Sequence, residues 1–481
     1  MLERDWKGND YDSSFSTADV NTVATARTTS GHPIQASLRL AEPPASSRVC
    51  LDLQLPEGFE GKYPTVIAAH GDSVLIQVIV IQDSREYEDA TTDYFVYNAG
   101  DAAAKPPLPP SLSLLPPYYA TDNYSDRPYN RKLCISATDL IRRGEDEIVV
   151  AELTMTAASE GTSQMRAAEL FLFRSGEWSV VKLPRIRNGD PEFGVIHPWL
   201  FNDSVVPVGD RLLCWVKLSK GLLLCDVFEE SPTLEYVKLP VDPCYGQPLT
   251  CRNVCVTAGG SVLKFVNIFP RCCCGGVGTT NCQNSHGACI INTWTLRMSD
   301  MEWVKDGMVD ATELWALDAY GGLPRLPLGH PIVSMDEPRI ICFVMVGNKT
   351  LWKLMVDMKR KTIRLASCYP EECWDTTSNL IPSNVSYYLN NTSYSKGESK
   401  ISDDDTSNVM LQSSCKLSEE PVEQESEILA ALQEILDRDD MLKAIYRILC
   451  HGNDRRLGTL LSLQKNMRKD WLLMEMKASE D

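Results

Sequence analysis

The chain has 481 residues, 43% of them hydrophobic, which is enough for a large packed core and for more than one domain. Its formal charge of −18, from 65 acidic and 47 basic side chains, argues against general nucleic-acid binding and against docking on anionic membranes, because both need a basic face. The most apolar run, Val74 to Ile81, is far shorter than the roughly 18 to 20 residues of a bilayer span, and Met1 to Asp12 is too charged for a secretory leader.

In chain order, residues 1–47 are rich in Ser, Thr, Asp and Asn and are expected to be largely disordered, with structure beginning near Arg48. RVCLDLQLP (Arg48 to Pro56) alternates apolar and polar residues as a half-buried strand does; TVIAAHG, SVLIQVIVI and DYFVYNAG follow, with a tight turn at Gly71 and Asp72. KPPLPPSLSLLPPYY (Lys105 to Tyr119) reads as a stiff connection between sheets, with polyproline docking as the alternative. After it, one phrase recurs: an apolar β-type run, a polar turn, then a second run ending in charge or proline. ELFLFRSGEWSVVKLP (from Glu169), GLLLCDVFEESPTLEYVKLP (from Gly221), INTWTLRMSDMEWVKDG (from Ile291) and LWKLMVDMKRKTIRLAS (from Leu351) all state it. Hairpins repeated at roughly 50 to 75 residues point to small sheets arranged radially, since a lone hairpin cannot bury its apolar face. Groups starting near Arg48, Glu147, Arg211, Ser261 and Pro338 predict a mainly β, propeller-like array of five or six small antiparallel sheets over 48–394. A pair of β-sandwiches is the alternative. VSYYLN (Val385 to Asn390) is the expected closing strand, paired with the N-terminal sheet. Residues 395–425 turn acidic and serine-rich, as a linker does, and 426–478 carry the helical periodicity of a C-terminal helical hairpin.

The densest local cluster of chemistry-bearing residues is the glycine-rich loop PRCCCGGVGTTNCQNSHGACIIN, where Cys272, Cys282, His286 and Cys289 are the candidate metal ligands, with zinc as the metal that thiolates and an imidazole suit. It lacks the Cys-x-x-Cys knuckle, so a plain insertion carrying unligated thiols is the competing reading. The chain has 17 cysteines, most of them single inside apolar runs, which suits a reducing, intracellular setting, cytoplasmic or nuclear rather than secreted. No nucleophile elbow, zincin helix, Walker loop or dinucleotide fingerprint is present. The six histidines stand apart, mostly beside Gly or Pro, as turn residues do, and most of the set Trp178, Trp215, Trp294, Trp303, Trp315, Trp352 and Trp374 fall inside apolar strands as core residues do.

From Trp215 to Phe343, the segments WVKLSKGLLLCDVFEESPTLEYVKLP, LKFVNIF, INTWTL, MEWVKDG, ATELWALDAYGGLP and PIVSMDEPRIICF resemble a plant family expanded in grasses, domain of unknown function 1618. Lys217 stands where family members commonly carry an acidic residue. The resemblance implies a plant protein with a β-rich body; it brings no activity, catalytic residue or cofactor. The expected function is therefore a non-enzymatic protein-interaction module, with no cofactor and with protein partners. A metal- or redox-responsive protein working through Cys272 to Cys289, and a hydrolase with a site in the central channel, are the alternatives.

Overall fold

The computed structural model describes residues 2–4, 19–82, 90–100, 108–120, 129–144, 147–155, 168–183, 186–187, 202–241, 249–271, 288–347, 350–370, 380–383, 385 and 411–412. A short strand β1 (Leu2–Glu3) precedes sheet one, formed by β2 (Ala24–Arg27), β3 (Pro33–Arg39) and β4 (Arg48–Leu53). Sheet two is β5 (Phe59–His70), β6 (Ser73–Gln82), β7 (Thr91–Asn98) and β8 (Ser111–Leu114); a small ladder of β9 (Tyr119–Ala120) and β10 (Tyr129–Asn130) follows. Sheet three is β11 (Thr138–Arg143), β12 (Glu147–Met155), β13 (Ala168–Arg174) and β14 (Glu177–Leu183). Sheet four joins β15 (Ile186–Arg187) to β16 (Ser204–Val208), β17 (Leu212–Lys217), β18 (Gly221–Asp226) and β19 (Leu234–Lys238). Sheet five is β20 (Arg252–Thr257), β21 (Val262–Pro270), β22 (Cys289–Arg297) and β23 (Glu302–Asp310), after which the helix α1 (Ala311–Trp315) is capped by the Asp310 carboxylate. Sheet six is β24 (Leu328–Val333), β25 (Ile340–Val346), β26 (Thr350–Asp357) and β27 (Thr362–Pro370), followed by β28 (Leu380–Ile381) and β29 (Leu411–Gln412).

Within each sheet the consecutive long strands pair antiparallel, because tight turns join them. The β13–β14 loop is the clearest case: Ser175 and Gly176 both have positive φ (54° and 85°), the backbone that a two-residue hairpin of matching twist requires. The sheets then stack face to face in chain order. Val74, Ile76 and Val78 of β6 with Phe95 and Tyr97 of β7 pack on sheet one, whereas Leu75, Tyr94 and Val96 pack on sheet three. Both faces of sheet two are therefore covered, which is why SVLIQVIVI reads as an almost unbroken apolar run rather than an alternation. Separate apolar cores join sheets three and four, four and five, and five and six in the same way. The first strands β5, β11, β16, β20 and β24 contact one another in succession. Small sheets radiating from a line of neighbouring first strands make a propeller-like array.

Sheet one departs from this pattern. Its last strand β4 lies beside β5 and its first strand β2 beside β8, so the chain crosses it in the opposite sense to the other five. The pattern closes through β1, which pairs antiparallel with β28 (Leu2 opposite Ile381) and bridges Ser47 at the start of β4.

Several expectations need correction. Residues 19–47 are not a disordered leader: Ile34, Ala36 and Leu38 of β3 alternate inward and are buried, and the exposed Pro33 and Arg39 at either end disguised a strand one face of which is apolar. RVCLDL belongs to sheet one, not with the three runs after it. The closing pair is made by Leu380–Ile381; Val385 is buried in the same core, and residues 386–390 lie outside the described residues. Ser111–Leu114 of the proline-rich segment form the outer strand of sheet two, with Leu112 buried, because the prolines stop at either side of it. Within the expected linker, Leu411–Gln412 form a strand. The helical hairpin expected over 426–478 lies outside the described residues, in a second compact unit, Lys416–Asp481.

Candidate functional site

Of the four candidate metal ligands, Cys272, Cys282 and His286 lie outside the described residues. Cys289 opens β22 and is buried in the core between sheets five and six, where burial pushes its thiol up to about 12. Cys255 and Cys342 are each pushed up to about 11 and Cys225 to about 12 by the same cause, and burial also raises Cys214. These thiols pack as small hydrophobes and are poor nucleophiles. Among the described residues no group of three or more His, Cys, Asp or Glu side chains could hold a metal ion.

The first strands end in turns that hydrogen-bond to one another. The Gly209 N–H donates to the Gly260 carbonyl (2.8 Å) and the Gly259 N–H to the Met335 carbonyl (3.0 Å). His70, the last residue of β5, joins this set from sheet two. The Arg142 backbone N–H donates to its Nδ1 (3.0 Å), so Nδ1 carries no proton; Nε2–H therefore donates to the Gly209 carbonyl at 2.9 Å. The Arg142 guanidinium completes the cluster, reaching the Ser73 hydroxyl and the Asn98 carbonyl oxygen (both 3.0 Å) and the Asp72 carboxylate (3.2 Å). Turn residue is thus the right description of His70, and its polar neighbours are engaged in holding the strand ends. At the other end of β11, burial raises the Asp139 carboxyl well above its ordinary value, and its Oδ1 accepts the Leu140 N–H at 2.7 Å.

Burial lowers the His70 pKa below the usual 6.5, against smaller opposing contributions from the Gly209 carbonyl, Asp210 and Asp72. A folded value below the unfolded one means that stability is fully present above pH 6.5 and is lost as pH falls towards the folded value. Glutamine presents an acceptor and a donor but does not titrate, so His70→Gln should flatten this acid loss. The check is the denaturation midpoint of both proteins at pH 7.5 and 5.5, with the wild type dropping more.

The outer strands are equivalent from sheet to sheet in a way that the sequence phrase anticipated. Trp178 of β14 donates from Nε1 to the Pro116 carbonyl of the preceding sheet's exit (2.7 Å), and Trp303 of β23 donates to the Lys238 carbonyl of β19 (2.9 Å). Trp178 also stacks on Phe171 at 4.5 Å. Nearer the axis, Trp215 is fully buried and donates to the Ala137 carbonyl of sheet three at 2.8 Å. These tryptophans staple neighbouring sheets.

The sheet edges differ. In sheet four the outermost β19 is paired by the extra parallel strand β15, and in sheet six β27 is paired in parallel by β29. Among the described residues, β14 and β23 have no such strand on their outer side. They expose apolar side chains: Val180 (43% exposed) on β14, and Val304 and Met308 (44% and 53%) on β23. In the sequence both segments read as the second halves of hairpins, and the exposed run Val304, Lys305 and Asp306 carries no periodicity that marks an edge.

Among solved structures, the chain is similar to a Dos1 propeller (10% identity, TM-score 0.27, covering 64% of this chain and 60% of that one). It is also similar to the Bombyx mori GH32 beta-fructofuranosidase BmSUC1 (8%, TM-score 0.24, 62% and 57%). A third similarity is to a chain in the cryo-EM structure of RAG in complex with one melted and one unmelted RSS (10%, TM-score 0.28, 72% and 96%). This chain thus spans less than two thirds of the first two, and at these scores nothing about activity follows. No curated protein matches the sequence. The family whose model matches is the one described as Protein of unknown function (DUF1618), over residues 215–342, from Trp215 in β17 to Cys342 in β25, and the match bears out the family resemblance carried by those residues.

Proposed function

We propose that this protein is a non-enzymatic interaction module of the intracellular space that takes up extended partner segments along the outer edges of its sheets. The observation that carries this reading is that the fold uses such an addition on itself twice: β15 and β29 are two-residue strands laid in parallel on β19 and β27. An outer edge offers unpaired backbone donors and acceptors, and strand addition gives affinity through them while alternate side chains give selectivity. On β23, Val304 and Met308 provide the apolar positions, whereas Lys305 and the bulge at Asp306, which has no residue opposite it in β22, limit indiscriminate pairing. Support for the absence of catalysis is chemical: buried thiols with raised pKa, and a histidine whose two nitrogens are both used in joining turns. Buried unoxidised cysteine used as core filling suits a reducing compartment.

The test is the double variant Val304→Lys, Met308→Lys, compared with wild type by proximity labelling in cells. Both positions are exposed, so the thermal midpoint should move little, by about 0.5 kcal/mol equivalent or less. Loss of a defined set of labelled proteins is the expected result. An unchanged set, with the same arrangement tried at Val180, would remove the edges as the binding surface.

A further inference from the structure

The outer edge of sheet six is covered over only part of its length. β29 lies in parallel on β27 at two positions, Leu411 beside Ala366 and Gln412 beside Ser367. Among the described residues no strand lies beside Thr362, Ile363, Arg364 and Leu365, the part of β27 nearest its hairpin turn. We propose that the acidic run Asp403, Asp404 and Asp405 of this same chain docks on the basic β26–β27 turn, so that the residues leading into β29 form a strap along this edge.

Register carries the inference. The three aspartates lie outside the described residues, but the pairing they lead into does not. Because β29 runs parallel to β27, the residues before Leu411 approach along the residues before Ala366. Six positions back from Leu411 is Asp405, and six back from Ala366 is Arg360; one step further sets Asp404 beside Lys359. Six extended residues span about 20 Å, so the acid run meets the turn if the chain simply continues the direction that β29 already has.

The turn supplies the complementary charge. Asp357, at the end of β26, is fully buried, and its Oδ1 accepts the backbone N–H groups of Lys359 (3.1 Å) and Arg360 (2.9 Å), which fixes the turn and leaves both side chains exposed. Arg339, Lys361 and Arg364 stand around them, and three carboxylates reach this set. Asp357 lies 3.3 Å from Arg339 and 3.5 Å from Arg364, Glu337 lies 3.0 Å from Arg339, and Glu313 of α1 lies 2.5 Å from Lys361. Five cations against three carboxylates leave an excess of two positive charges, and among the described residues neither Lys359 nor Arg360 has an ion pair. Water solvates an exposed cation well, so charge alone would name no occupant; the register of β29 does. Exposed ion pairs are weak and screened by salt, so such a strap can leave the edge without unfolding the sheet. This inference goes beyond the edge binding proposed above: it concerns the chain's own occupancy of a third edge, and it stands whether or not partners bind β14 and β23.

The experiment treats purified full-length protein with a carbodiimide, which joins a carboxylate to an amine it touches, at roughly 0.01 M and 1 M salt, where the Debye lengths are about 30 Å and 3 Å. Peptide mapping should find Asp403, Asp404 or Asp405 joined to Lys359 or Lys361, with the yield about fivefold lower at high salt, the change that two exposed ion pairs support. Hydrogen exchange is the second readout. The triple variant Asp403→Asn, Asp404→Asn, Asp405→Asn should speed exchange of the β27 amides about fivefold and leave β25 unchanged. Lys359→Gln with Arg360→Gln should do the same, whereas Lys359→Arg, which keeps the charge and removes the amine, should lose the Lys359 cross-link with exchange unchanged. No such cross-link, equal yields to lysines elsewhere, or equal β27 exchange in the triple variant and wild type would overturn the proposal. Cross-links joining isotope-labelled to unlabelled copies in a mixed sample would put the acid run on a second copy and overturn it equally.

Discussion

Trp215→Ala should lower folding stability by about 3–5 kcal/mol, the range for emptying a fully buried indole. The side chain lies in the core between sheets three and four with Leu213, Leu223 and Cys225 of its own sheet and Leu153 and Leu172 of the other. Its Nε1–H meets the Ala137 carbonyl, which also accepts the Leu153 N–H at 3.2 Å. Two effects therefore add in the alanine variant: a cavity between two stacked sheets and the loss of the hydrogen bond that registers them. Trp215→Phe separates the two. It keeps most of the apolar volume and leaves the Ala137 carbonyl with the Leu153 N–H, so its cost should be about 1 kcal/mol. Denaturant midpoints of the three proteins provide the check. If phenylalanine costs as much as alanine, the hydrogen bond rather than the packing holds these sheets together.

The second large effect is expected at Leu2. Leu2 has no exposed surface and stands in the core of sheets one and two, with Ile381 and Val385 packed into the same cluster. Leu2→Ala should cost about 2–5 kcal/mol. The location of the damage distinguishes this variant from other core truncations. Hydrogen exchange should accelerate first in β4 and β28, the segments β1 joins, and in sheet six near Lys353. Accelerated exchange spread evenly over sheets three to five would mean that β1 merely fills space and does not close the array.

The hairpins β13–β14, β18–β19, β22–β23 and β26–β27 were legible because each has a turn that announces itself and a second strand that interleaves charged or polar residues with apolar ones. Apart from β5, read as TVIAAHG, the first strands were not. TDLIRR (β11) and RNVCVT (β20) mix charged residues into short strands, and SVVPV (β16) carries Pro207, which usually argues against a strand. The structure explains the exception: β16 is an edge strand paired only with β17, so a missing N–H can face away from the ladder. The count of groups fell to five for a related reason. Ala24, Ile34, Ala36 and Leu38 of β2 and β3 are buried among Thr25, Arg27, Gln35, Ser37 and Arg39, of which only Ser37 is also buried, and the low overall hydropathy masked the alternation. The cavity between the first and last sheets was beyond local reading altogether, since Glu3, Arg39 and Arg48 meet Lys353 and Tyr369 only when those sheets come together. Cysteine spacing drew attention to Cys289, which belongs to the apolar core between sheets five and six.

The pairing of Leu2 with Ile381 also sets a schedule for the ribosome. Sheets two to five can assemble as they emerge, each covering the one before it, because their strands are contiguous in the chain. The free side of sheet one has no such neighbour until sheet six and residues 380–381 have been translated, so the newborn protein must carry that surface uncovered through most of its synthesis. A chaperone that engages this chain should therefore bind nascent chains stalled ahead of Leu380 and release those extended past Val385.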